Sequence, residues 1–84
     1  MSPRRRPCAI LGASGYIGQH FARILADHPW FETPRLIVSE RYAGRTLEDL
    51  WQLSEDPPAE IARVRCEHVG PGALGRAGME VAFG

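Results

Sequence analysis

Three glycines spaced by three, Gly12, Gly15 and Gly18, stand in the run Gly12-Ala13-Ser14-Gly15-Tyr16-Ile17-Gly18. Such a run offers main-chain N–H groups to a phosphate with few side chains in the way. Gly12 permits a sharp turn, where a positive φ would strain any residue with a Cβ. Gly15 leaves room for a pyrophosphate to approach the backbone, and Gly18 lets a following helix pack closely. Ser14 can donate its hydroxyl to the phosphate or cap that helix. The whole turn, with Ala13, Tyr16 and Ile17, is therefore a candidate nucleotide site. Its spacing departs from the common G-x-G-x-x-G pattern, so its context has to support it.

A second group that can do chemistry is Ser39-Glu40-Arg41. It follows Gly18 by about twenty residues, the separation at which a dinucleotide fold contacts the ribose. Glu40 suits the 2′-hydroxyl of NAD, whereas Arg41 offers a planar fork to the 2′-phosphate of NADP, with Ser39 adding a donor. No catalytic set is visible elsewhere. Cys8 and Cys66 lie in apolar or strand-like runs without metal spacing, and Cys66 lacks a base at a suitable offset. His20 and His28 read as surface or helix-end histidines, and Glu48, Asp49, Glu55, Asp56 and Glu60 as a solvated acidic stretch. No metal site is expected.

The surrounding elements give the glycine turn its setting. Cys8–Leu11 reads as a strand entering it, and a helix leaves it over about Gly15 to Asp27. Ile17, Phe21, Ile24 and Leu25 form that helix's apolar stripe, and Pro29 stops it. Arg35–Ser39 reads as a second strand, with Leu36-Ile37-Val38 apolar enough for burial on both faces. Thr46 caps a short helix carrying Leu47, Leu50 and Trp51. Ile61–Val69 alternates, with Val64, Cys66 and His68 on one side and Arg63, Arg65 and Glu67 on the other, which describes an edge strand. Ala73–Arg76 is expected to form a helical turn and Met79–Phe83 a further strand. The sheet order is expected to be 3-2-1-4. The fold class is α/β, a partial Rossmann-like parallel sheet of about four strands with helices on both faces.

Size and charge limit the rest. Eighty-four residues allow one small domain, burying ~60–65% of its unfolded surface. The formal net charge is zero, which gives no general pull toward nucleic acid or membrane. All ten basic residues are arginine, so no lysine mechanism is open to the chain. Arg4-Arg5-Arg6 reads as a solvated tail. Reduced cysteines, no signal peptide and no membrane-length apolar run point to the cytoplasm.

The blocks Gly12-Ala13-Ser14-Gly15-Tyr16-Ile17-Gly18-Gln19, Leu25-Ala26-Asp27-His28-Pro29-Trp30-Phe31 and Ser39-Glu40-Arg41-Tyr42-Ala43-Gly44-Arg45 together resemble the amino-terminal domain of aspartate-semialdehyde dehydrogenase, closest to its archaeal and fungal type. The resemblance implies an NADP-dependent enzyme that reductively dephosphorylates aspartyl phosphate in amino-acid biosynthesis, through a cysteine thioester and a histidine base. It implies that Gly12–Gly18 holds the pyrophosphate and that Ser39, Arg41 and the neighbouring Tyr42 hold the 2′-phosphate. Tyr42 replaces a serine common in the family. The family's catalytic cysteine, histidine and arginines belong to a later domain, and none of Cys8, Cys66, His20, His28 or His68 matches them. Residues 1–84 are thus expected to be a truncated NAD(P)-binding domain, inactive and poorly stable alone, with the missing catalytic domain or a second copy as partner. Two other readings are N-acetyl-γ-glutamyl-phosphate reductase, which shares the Gly-Ala-Ser-Gly-Tyr turn, and a non-catalytic NADP-sensing module similar to extended short-chain dehydrogenases.

Overall fold

The computed structural model describes residues 5–70, 73 and 81–84. Strand β1 (Cys8–Leu11) is central, flanked in parallel by β2 (Arg35–Ile37) and β3 (Val81–Phe83), in the order β2-β1-β3. Ile10 lies opposite Leu36 on one side and Phe83 on the other. Successive residues of a strand face opposite sides of the sheet. Ile10 and Leu36 belong to the main apolar cluster, while Ala9 and Ile37, on the alternate pleat, are also buried. That is the two-sided burial a parallel sheet requires. With helix α1 (Tyr16–Leu25) following β1, the fold is a partial Rossmann-like α/β unit.

Between Ile61 and Val69 the expected edge strand is reduced to isolated bridges. Glu67 bridges Ile37 in parallel, exchanging N–H and carbonyl with Leu36 and Val38 at 2.8 Å each, whereas Arg65 bridges Thr46 antiparallel. The segment divides its backbone between two partners and so never forms two successive rungs with either. It nevertheless lies where the third strand of a 3-2-1-4 sheet belongs. Glu67 also pairs with Arg35 through both carboxylate oxygens. Of the Met79–Phe83 strand, Val81–Phe83 is seen. Met79, Glu80 and most of the expected Ala73–Arg76 turn lie outside the described residues.

Helix α1 buries a stripe shifted from the one its apolar residues suggest. Gly18, Gln19, Ala22 and Leu25 are buried and Phe21 packs against the core, so Leu25 and Phe21 hold the expected side, while Ile17 and Ile24 are 69% and 66% exposed. At its first turn the helix approaches the glycine turn too closely for any side chain at position 18. A Cβ on Gly18 would lie 2.2 Å from the Gly12 carbonyl oxygen. Phe21 sits at the margin, stacking at 5.3 Å on Phe83, which also meets Phe31 edge-on at 5.5 Å.

Thr46 caps α2 (Leu47–Leu50), accepting the Asp49 N–H at 3.4 Å, and Leu47 and Leu50 enter the core. Arg6 is less free than a tail residue. It donates its N–H to Trp30 and accepts that of Glu32, both at 2.9 Å, so the chain is anchored two residues before β1. Among the described residues, no helix is long and apolar enough to cross a membrane.

Candidate functional site

The glycine turn begins where β1 ends. Gly12 adopts φ +72°, the left-handed conformation that favours glycine. The N–H groups of Gly12 and Ala13 both donate to the Ile37 carbonyl, at 2.9 and 3.0 Å, and the Gly15 N–H closes the turn on the Gly12 carbonyl at 3.0 Å. Gly15 is the N-cap of α1, and no side chain caps that end. Ser14 therefore does not cap the helix. The N–H groups of the first helical turn have no intrahelical acceptor, and the helix dipole adds positive potential there. An anion fits that end directly.

An open cleft of about 390 Å³ lies against this turn, lined by Leu11, Gly12, Gly15, Tyr16, Ile17, Gly18 and Gly84. Gly12, Gly15, Tyr16, Ile17 and Gly18 were legible as candidates. Ala13 is fully buried with its N–H on Ile37 and its carbonyl on Gln19, and neither Ala13 nor Ser14 lines the cleft. Sequence reasoning missed Leu11 and Gly84. Gly84 has φ +118°, and a Cβ there would lie 2.4 Å from the Leu11 carbonyl oxygen. A glycine directly after a strand that pairs with β1 was the available signal.

Gly15 and Gly18 differ in what requires them. A Cβ on Gly15 would meet only the Gly12 carbonyl oxygen, at an ordinary 3.6 Å. Its φ of −105° suits any residue. Nothing in the protein's own packing demands glycine there, and the absent side chain opens onto the cleft. The space is of the kind a pyrophosphate needs.

The second candidate group leaves β2 beside the first. Ser39 precedes a 3-10 turn of Glu40–Tyr42, and Ser39, Glu40 and Arg41 are all exposed. The Arg41 guanidinium carbon lies 5.2 Å from the centre of the Tyr42 ring, so the arginine stacks on its neighbour. Ser39, Arg41 and Tyr42 do not line the cleft beside the turn. They form a separate exposed shelf, joined to it through Ile37.

The cysteines are poor nucleophiles. Cys8 and Cys66 are free and buried. Burial, and for Cys8 also the Glu32 carboxylate, raises its thiol above the usual range, and burial alone raises Cys66. His68 is engaged with the Val38 carbonyl at 3.1 Å and His28 accepts the Trp30 N–H at 3.1 Å.

Residues 7–83 match the family model described as semialdehyde dehydrogenase, NAD binding domain. The chain belongs to the semialdehyde dehydrogenase family. It is 41% identical over 61 residues to an aspartate-semialdehyde dehydrogenase of Archaeoglobus fulgidus, covering 70% of this chain and 18% of that protein. A Cryptococcus neoformans aspartate-semialdehyde dehydrogenase is 35% identical, covering 99% of this chain and 24% of that one. A crystal structure of aspartate-semialdehyde dehydrogenase with NADP from Candida albicans superimposes with a TM-score of 0.77 at 28% identity, covering 95% of this chain and 23% of that one. This semialdehyde dehydrogenase chain thus spans about a fifth to a quarter of the length of those relatives. The matches favour the aspartate-semialdehyde expectation over N-acetyl-γ-glutamyl-phosphate reductase and the extended short-chain dehydrogenases.

Proposed function

We propose that this chain is the NADP-binding portion of an aspartate-semialdehyde dehydrogenase. The observation that carries the reading is an uncapped helix end behind Gly12–Gly18 beside the end of β2, where the Ile37 carbonyl accepts the N–H groups of Gly12 and Ala13 two residues before the Ser39–Tyr42 segment begins. Gly12, Ala13, Ser14, Gly15, Tyr16, Ile17 and Gly18 form the pyrophosphate site. The N–H groups of Gly12, Ala13 and Gly15 are donated within the fold, which leaves those of Ser14, Tyr16, Ile17 and Gly18 as the donors. Ser39 and Arg41 hold the ribose 2′-phosphate, with Tyr42 supporting the guanidinium. The bound cofactor supplies or accepts a hydride at its nicotinamide.

The chain binds and orients that cofactor and does not carry the acyl chemistry. Its thiols are buried and protonated at neutral pH, so the thioester-forming cysteine and its histidine base come from a catalytic domain. Residues 1–84 form the cofactor-binding domain, its partner is that catalytic domain or a second copy, and the enzyme works in the cytoplasm on aspartyl phosphate.

Calorimetric titration of the chain with NADP and with NAD tests the reading. Tighter NADP binding is expected. Tighter NAD binding would make Glu40 the ribose ligand, and no binding of either cofactor would overturn the assignment.

A further inference from the structure

Gln19 is a fully buried polar side chain on the face of α1 that otherwise carries Gly18, Ala22 and Leu25. Each polar atom of its amide is engaged. Nε2 donates to the Ala13 carbonyl at 3.2 Å and to the Leu50 carbonyl at 2.7 Å, and Oε1 accepts the Gln52 N–H at 2.8 Å. A leucine or methionine would fill a similar volume, so packing alone does not call for an amide. Gln52 extends the connection, because its own Nε2 donates to the Ser14 carbonyl. Two glutamine side chains thus hold two consecutive carbonyls of the glycine turn.

A trans peptide sets its C=O and the following N–H in opposite directions. Gln19 holds the Ala13 carbonyl toward the interior, which turns the Ser14 N–H outward. Gln52 takes the Ser14 carbonyl, and the next N–H, that of Gly15, returns to Gly12 within the turn. The directions of two peptides in the turn, Ala13–Ser14 and Ser14–Gly15, are therefore set from behind, by side chains that do not line the cleft.

We propose that Gln19 and Gln52 are positioning residues that preset which backbone N–H groups of the turn face the pyrophosphate of a bound dinucleotide. The proposal rests on the cofactor reading above and adds to it a device that acts before the ligand arrives. Preset donors spare the ligand the cost of ordering the turn, which is how preorganisation raises affinity. Gln52 is the better residue to test. Its side chain is exposed and its backbone N–H stays on Gln19 after substitution, so loss of fold is not expected.

The experiment compares Gln52→Ala and Gln52→Met with the unaltered chain, by titration with NADP and with adenosine 2′-monophosphate. The latter carries the ribose phosphate and lacks the pyrophosphate. Both variants should bind NADP about tenfold more weakly, the effect of one lost hydrogen bond of ~1.4 kcal/mol, and bind adenosine 2′-monophosphate unchanged. Faster exchange of the Gly15 amide, whose peptide carries the Ser14 carbonyl, should accompany the loss in the ligand-free variants. Unchanged NADP affinity in both variants, retained affinity in Gln52→Met, or equal losses for both ligands would overturn the brace alone. An unaltered chain that binds no NADP would overturn the cofactor reading, and the brace with it.

Discussion

The carbonyl of Ile37 accepts the N–H of Gly12 at 2.9 Å, so the last residue of β2 holds the first residue of the glycine turn. Ala13 shares the same acceptor. Two strand ends that would otherwise splay are therefore fixed to each other where a dinucleotide would cross between them. The backbone that leads to Arg41 and the turn that carries Gly15 thus start from one shared anchor point.

Gly15→Ala and Gly18→Ala should separate binding from folding. The Gly18 Cβ would press on a backbone oxygen that cannot swing aside. Overpacking of this kind costs ~1–3 kcal/mol or more, a large share of a stability of ~0.05–0.15 kcal/mol per residue. Gly15→Ala should melt within a few degrees of the unaltered chain and bind NADP at least about tenfold more weakly, a loss of ~1.4 kcal/mol. Thermal unfolding followed by circular dichroism, beside calorimetric titration, checks both. A Gly15→Ala chain that binds NADP normally would remove the turn as the pyrophosphate site.

Arg41→Ala should weaken NADP binding by about tenfold to a hundredfold, the range of a charge-assisted contact worth ~1.5–3 kcal/mol, and leave NAD nearly unchanged. Equal losses for the two cofactors would mean that Arg41 acts on something other than the 2′-phosphate.

Much of this was legible in the residues. The turn could be read because glycine spacing reports backbone conformation directly, and Gly12 takes the left-handed φ its position called for. Strand β2 could be read because Leu36-Ile37-Val38 is apolar on both pleats. On α1 the apolar stripe holds at Leu25, which is buried, and at Phe21, which packs against the core, but not at Ile17 and Ile24, because periodicity marks large apolar residues and the close approach to the glycine turn requires Gly18. The alternation in Ile61–Val69 tracks burial from Arg63 to Cys66 and then breaks, with Glu67 half-buried and His68 exposed. It cannot report that neighbouring residues pair with different segments. Gln19 leaves no local pattern in the sequence because two of its partners, the Leu50 carbonyl and the Gln52 N–H, lie far along the chain.

The thiols should make stability fall in alkali. Folding raises the pKa of Cys8 and Cys66, so their contribution is fully present below the unfolded thiol value of ~8.5. It is lost as pH rises through the folded values. Urea unfolding at pH 7.5 and at pH 10 should show the decrease, and a Cys8→Ala, Cys66→Ala double variant should show less of it. The same protonation predicts that the isolated chain forms no thioester and that maleimide labels it only after unfolding. Rapid labelling of the folded chain at pH 7 would refute this.

Thr46→Ala should cost about 0.5 kcal/mol, the low end for loss of a helix cap, because its bond to the Asp49 N–H is long at 3.4 Å. For a chain of this size that is a fall of roughly 2–4 °C in Tm. A fall beyond 8 °C would show that the bridge to Arg65 depends on the hydroxyl as well.

Strand β1 has its two neighbours at very different times during synthesis. Arg35 to Ile37 follow it early, but Cys8 pairs with Val81 and Ile10 with Phe83, each 73 residues further on. A growing polypeptide on the ribosome therefore completes only one side of strand β1, and the other carries unpaired N–H and carbonyl groups until residues 81–83 emerge. Pairings so distant in sequence are slow to form, and an open strand edge is the part of a nascent chain most prone to pair with another molecule. The glycine turn, built at the end of that same strand, can form its local bonds early and gains its second flanking strand only when β3 arrives.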